Sequence, residues 1–176
     1  CGSPPAEFRE YATYARKVEE SIGDDFRFTA AQRENLDTIM ASLFGTPDQP
    51  ALPKLEGVDL SQVVDLTKLR MAAGPVFSDE SGRPHGLYRE HCAHCHGITG
   101  DGAGPTAIFL NPYPRDYRPG KYKFKSTPVG AKPTHEDLTK IVFDGIPGTG
   151  MPSFKLLPSD ELVALDGPIV ALPPRG

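Results

Sequence analysis

Residues 91–97 read His-Cys-Ala-His-Cys-His-Gly. Two of the chain's three cysteines and three of its five histidines fall in this stretch. Cys92-Ala93-His94-Cys95-His96 fits C-x-x-C-H, the attachment pattern of a covalent c-type haem. The spacing has a physical reason. Thiols three residues apart share one helical turn and can add to the two vinyl groups of a single haem. The histidine directly after the second thiol then lies under the iron. Covalent capture keeps such a group in a small domain that could not hold it by packing alone. Zinc and a C-x-x-C redox pair are the alternatives. No second C-x-x-C or H-x-x-x-H completes four zinc ligands, and a redox pair accounts for neither His96 nor the absence of a βαβ pattern.

His96 is the expected proximal iron ligand, its other ring nitrogen donating to a backbone carbonyl. His91 and His94 fall on other faces of the turn and are read as bystanders. Met and His are the usual sixth ligands. Met40 lies on an apolar helix face and Met71 ends another helix, so both are read as packing residues. Met151 stands in Gly145–Lys155, "GIPGTGMPSFK", where three glycines and two prolines leave it little apolar company of its own. It is the expected distal ligand, with His85 and His135 as weaker alternatives.

The rest of the chain is organised around this cluster. With 18 glycines and 19 prolines in 176 residues, much of it is expected as loop. Weak helical spacing over 5–20 precedes a better helix, where Thr29 and Gln32 make a capping-box pattern. There Leu36, Ile39, Met40, Leu43 and Phe44 repeat along one face before Gly45 stops the helix. The Pro-rich connector "GTPDQPALPKLEG" ends a helical extension over 1–57 and opens a haem domain over 58–176. Further helices are expected near 61–73 (Val64, Leu66 and Leu69 inward), 84–94, 134–144 and from Ser159 onward, with a short extended arm in "KYKFKST". Net charge is −4. Residues 1–70 carry 12 acidic against 8 basic side chains, whereas 111–132 holds six Lys or Arg beside Asp116. No nucleic-acid motif accompanies that basic run. No apolar run reaches transmembrane length. The start "CGSPP" resembles the mature end of a bacterial lipoprotein, with Cys1 as the lipid carrier.

At the level of family, residues 84–176 resemble a class I c-type cytochrome. The matching pieces are "GLYREHCAHCHG", "GDGAGP", "GTGMPSF" and "LPSDEL". The resemblance implies an all-α fold around one covalent haem c, His96/Met151 axial ligation, and electron transfer rather than enzymatic turnover. It also implies that the Pro105 carbonyl accepts the His96 ring N–H, and that a last helix packs across the attachment helix beside Gly86 and Tyr88. In the insert "LNPYPRDYRPGKYKFKST", it implies that Arg115, Tyr117, Arg118 or Tyr122 binds the haem propionates. Gly167-Pro168 departs from the pattern, because proline inside a helix removes a backbone bond; a stop near Asp166 is one outcome.

These readings converge on an extracytoplasmic, periplasm-facing electron carrier in a bacterial respiratory chain. It would be membrane-anchored through a lipid on Cys1, as a free carrier or as a subunit of a membrane complex. Ile98, Ile108, Phe109, Leu110, Phe143, Ile146 and Phe154 are expected to shield the haem, and the 115–132 loop to steer acidic redox protein partners. Neither a nucleic acid nor a small-molecule substrate is expected. The alternative is a haem enzyme or gas sensor whose Met151 dissociates to open the iron.

Overall fold

The computed structural model describes residues 7, 8, 10–62 and 64–171, with side chains to residue 165. Cys1 lies outside the described residues, and so does the lipid attachment expected on it.

The N-terminal part of the chain contributes α1 (Ala12–Ile22) and α2 (Ala30–Phe44). Thr29 and Gln32 form the full capping box that starts α2, and Gly45 ends it. The two helices are joined through a buried carboxylate. Glu19 accepts from the Phe28 backbone N–H and from Arg33 Nη2, both at 2.8 Å. The apolar repeat of α2 is not buried, since Leu36, Ile39 and Leu43 keep 46, 53 and 40% of their surface. Periodicity set the helix there, but no described element covers that face.

The connector leads to a 3-10 turn at Leu60–Gln62 and to α3 (Leu66–Ala72). Asp65 caps α3 by accepting from the Thr67 and Lys68 backbone N–H groups. Of the residues expected inward, Leu69 is buried together with Met71 and Ala72, while Val64 and Leu66 are only half-buried. Met71 is core, as its place at a helix end implied. Two-residue strands β1 (Phe77–Ser78) and β2 (Pro84–His85) pair antiparallel. The segment Lys121–Thr127 forms no strand.

The expected helix over 84–94 is two short helices, α4 (Leu87–His91) and α5 (Ala93–His96), broken at Cys92. After a 3-10 turn at Ala107–Phe109 and a long loop comes α6 (His135–Asp144), started by a Thr134–Asp137 capping box. Last is α7 (Ser159–Ala171), with Asp160 and Glu161 favourably placed in its positive first turn. Its backbone continues through Gly167 and Pro168 instead of stopping at Asp166.

The core forms where α7 meets α3, α6 and α4. Met71, Leu87, Ala164 and Leu165 make its centre, with Tyr88, Cys92 and Leu157 packed against it. Alpha-helix α7 therefore has α3 as its main partner, and the attachment helix is secondary. Tyr88 of the attachment helix packs against the cluster that includes Ala164 and Leu165 of α7, while Gly86 lies close against the loop after α3. A Cβ there would stand 2.3 Å from the Pro75 carbonyl oxygen, so its missing side chain accommodates the loop after α3.

Candidate haem site

Backbone bonds shape the Cys92–His96 turn. The Cys92 carbonyl accepts from Cys95 N–H at 3.1 Å and from His96 N–H at 2.8 Å. The chain then folds back on this turn: Gly102 N–H reaches His96 O, Gly104 N–H reaches Cys95 O, and Thr106 N–H reaches His94 O. Only glycine permits that return, because a Cβ on Gly104 would lie 2.4 Å from the His94 carbonyl oxygen. Thr106 Oγ1 adds a bond to His94 O at 2.7 Å.

His96 is held on two sides. Its Nδ1 lies 3.0 Å from the Arg115 carbonyl oxygen, and its ring stacks on Tyr117 with centroids 4.5 Å apart and planes 22° from parallel. The expected acceptor, the Pro105 carbonyl, is not the one used. Pro105 is exposed, and the later loop supplies the carbonyl through Arg115. Burial lowers the His96 pKa, which favours the uncharged form of the imidazole. Burial pushes the Cys92 thiol up to about 12, with Cys95 adding to the rise. Burial also raises the phenols of Tyr88 and Tyr117.

The Met151 loop is positioned from α6. Phe154 N–H donates to Val142 O, and Ile146 N–H donates to Met151 O, each at 3.2 Å. A Cβ on Gly145 would stand 2.6 Å from Pro152 backbone atoms, so glycine lets the loop close on the helix end.

These segments enclose a cavity of about 390 Å³. Cys92, Cys95, His96 and Met151 all line it, together with Arg115, Tyr117, Tyr122 and Phe154. His91 and His94 line it too, and His91 meets Phe154 edge-on with centroids 6.0 Å apart. Of the expected shell, Leu110, Ile146 and Phe154 face the cavity. Ile108 and Phe109 stand outside it, 69 and 79% exposed, and neither Ile98 nor Phe143 lines it. The 3-10 turn points Ile108 and Phe109 away, an outcome their apolar character could not convey. Arg118 is absent from the lining because its guanidinium is taken by Asp116 and the Glu10 carbonyl. His85, expected only as a weak ligand, instead stacks on Phe77 and bonds the Arg70 carbonyl.

A second cavity of about 270 Å³ is lined by Phe8, Phe44, Leu69, Tyr88 and Thr99 among others. Tyr117 is its wall in common with the first. Among the described residues, no cluster of three His, Cys, Asp or Glu is arranged to hold a metal ion by those groups alone. No described helix is long and apolar enough to cross a membrane.

A helical domain whose C-x-x-C-H turn opens on a cavity with a facing methionine is the architecture of a c-type cytochrome. Comparison with known proteins shows that residues 79–165 match the family described as cytochrome c oxidase, cbb3-type, subunit III. This part of the chain is a class I c-type cytochrome domain, a class that binds haem and transfers electrons. No curated protein matches the chain. A solved structure, the Kuenenia stuttgartiensis reducing HAO-like protein complex Kustc0457/Kustc0458, aligns at 30% identity with a TM-score of 0.48. That alignment covers 55% of this chain and 43% of the other, a partial likeness.

Proposed function

We propose that the chain carries one haem c, attached to Cys92 and Cys95 and ligated by His96 and Met151, and passes single electrons between protein partners. The reading rests on one observation: both thiols, an imidazole with one nitrogen already engaged, and a thioether sulfur line a single cavity. That donor set fits a covalent haem. When bound, the haem would supply an iron centre able to take up and release one electron.

The chain's own groups would do the rest. The Arg115 carbonyl fixes the His96 tautomer by accepting from Nδ1, which leaves Nε2 for the metal. A thioether from Met151 favours the reduced state relative to a second imidazole. Leu110, Ile146 and Phe154 exclude water and add to that preference. Arg115 and Tyr122 are the proposed propionate partners, with Tyr117 chiefly a stacking residue and Arg118 committed elsewhere.

Partners would dock near Ile108, Phe109, Tyr113 and Phe124, apolar side chains left in solvent. Lys121 and Lys123 are exposed beside them, whereas Lys125 is bonded to Thr127 and the Pro128 carbonyl. Steering of acidic partners therefore falls to Lys121 and Lys123. We place the protein at the extracytoplasmic face of a bacterial membrane, tethered through Cys1. A subunit role in a respiratory complex is favoured over a free carrier, because the matched family is described as an oxidase subunit.

The mass and spectrum of the native protein test the reading. One haem of added mass with a low-spin spectrum is expected, and acyl mass reports the tether. Colourless protein from cells competent in haem attachment overturns it. Rapid, complete carbon monoxide binding to the reduced protein would instead support the dissociable-methionine enzyme or sensor.

A further inference from the structure

Arg118 lies outside the cavity, yet its contacts run from the N-terminal segment to the groups that hold His96. Its Nε and Nη2 donate to Asp116 Oδ1 and Oδ2 at 3.0 and 2.8 Å, and its backbone N–H donates to Oδ1 at 3.0 Å. Its Nη1 donates to the Glu10 carbonyl, 108 positions earlier, at 3.1 Å. The guanidinium carbon sits 4.9 Å from the centroid of the Tyr11 ring. Side-chain exposure of this ion pair is 16% for Arg118 and 26% for Asp116, so water screens it less than a surface pair.

Arg115 and Tyr117, the neighbours of Asp116, reach the imidazole from the other side. Arg115 supplies the carbonyl 3.0 Å from His96 Nδ1, and Tyr117 supplies the stacked ring. Residues 115–118 are thus a short bridge with the extension at one end and His96 at the other. The extension is braced behind it, since Arg33 bonds both Glu10 and the buried Glu19.

We propose that Arg118 is a positioning residue for His96. By tying Asp116 to Glu10 and Tyr11, it holds the Arg115 carbonyl and the Tyr117 ring against the imidazole. Packing of the N-terminal segment then sets the strength of the ring N–H bond. Its effect on electron transfer rests on the haem reading above. A firm N–H···O bond makes the imidazole a stronger donor to iron and favours the oxidised state. Loosening the bridge favours the reduced state.

Arg118→Lys and Tyr11→Ala test this in the holoprotein, because neither alters net charge. Both are expected to speed solvent exchange of the His96 ring N–H, followed by NMR, and to raise the equilibrium constant for reduction about three- to tenfold. Tenfold is about 59 mV for one electron. Arg16→Lys, within an exposed pair on the same extension, should change neither. Faster proteolysis of the N-terminal segment with ring exchange and potential unchanged would mean a merely structural role and overturn the proposal. If Arg118→Lys fails to mature, Tyr11→Ala decides by the same readouts. Should the wild type hold no haem, the function reading fails; ring exchange still judges the positioning, and unchanged exchange overturns it.

Discussion

His96 and Tyr117 lie ring on ring, 4.5 Å between centroids, at the wall between the two cavities. Tyr117 keeps only 7% of its surface, so its ring is both a core side chain and a support for the imidazole. Tyr117→Ala is expected to destabilise the protein by about 3–5 kcal/mol, in the range for buried aromatic truncations. Tyr117→Phe keeps the stack and should cost under half as much. Denaturant unfolding of the two holoprotein variants checks this, and equal losses would mean the stack contributes little.

Stability should fall in alkali. Burial raises the Tyr88 and Tyr117 phenols in the folded state, so folding favours their neutral forms. That contribution is fully present below the unfolded phenol value of about 10 and is lost as pH rises above it. The denaturation midpoint should hold steady from about pH 8 to 9.5 and drop beyond it. A Tyr88→Phe variant should show a shallower drop.

Gly104→Ala should lower the yield of folded protein. Its Cβ would meet the His94 and Ala93 carbonyl oxygens at 2.4 and 2.6 Å, backbone atoms that cannot swing aside. Gly23→Ala is the control, because open space surrounds that position. Comparing the unfolding midpoints of the two variants separates close approach from loss of chain flexibility.

Met151→His should lower the midpoint potential while leaving the covalent haem in place, since a second imidazole favours the oxidised state. Met151→Ala should open the sixth position and let carbon monoxide bind rapidly to the reduced protein. Wild-type potential and wild-type carbon monoxide behaviour in both variants would remove Met151 from the ligand set.

Much of the scaffold was legible residue by residue. Thr29 with Gln32 announced a helix start because a capping box is made by residues three apart. Cys92, Cys95 and His96 announced a haem through spacing alone. The Arg115 carbonyl carried no such signal: every residue has a carbonyl, and which one meets an imidazole depends on how a loop returns. Side-chain type misplaced other residues. Arg118 suited a carboxylate and found one in Asp116, while Ile108 and Phe109 were apolar yet remained in solvent.

What the chain's order of residues determined by itself is local: capped helix starts, the C-x-x-C-H turn, and the glycines that let backbone approach backbone. Hydrogen bonds between near neighbours and the stereochemistry of single residues decide those features. Only the tertiary structure decided that α7 rests mainly on α3, that the 115–118 bridge links His96 to Glu10 and Tyr11, and which apolar side chains enclose the cavity. Those outcomes depend on the direction in which each loop brings distant groups together, and pairwise spacing along the chain holds no record of that direction.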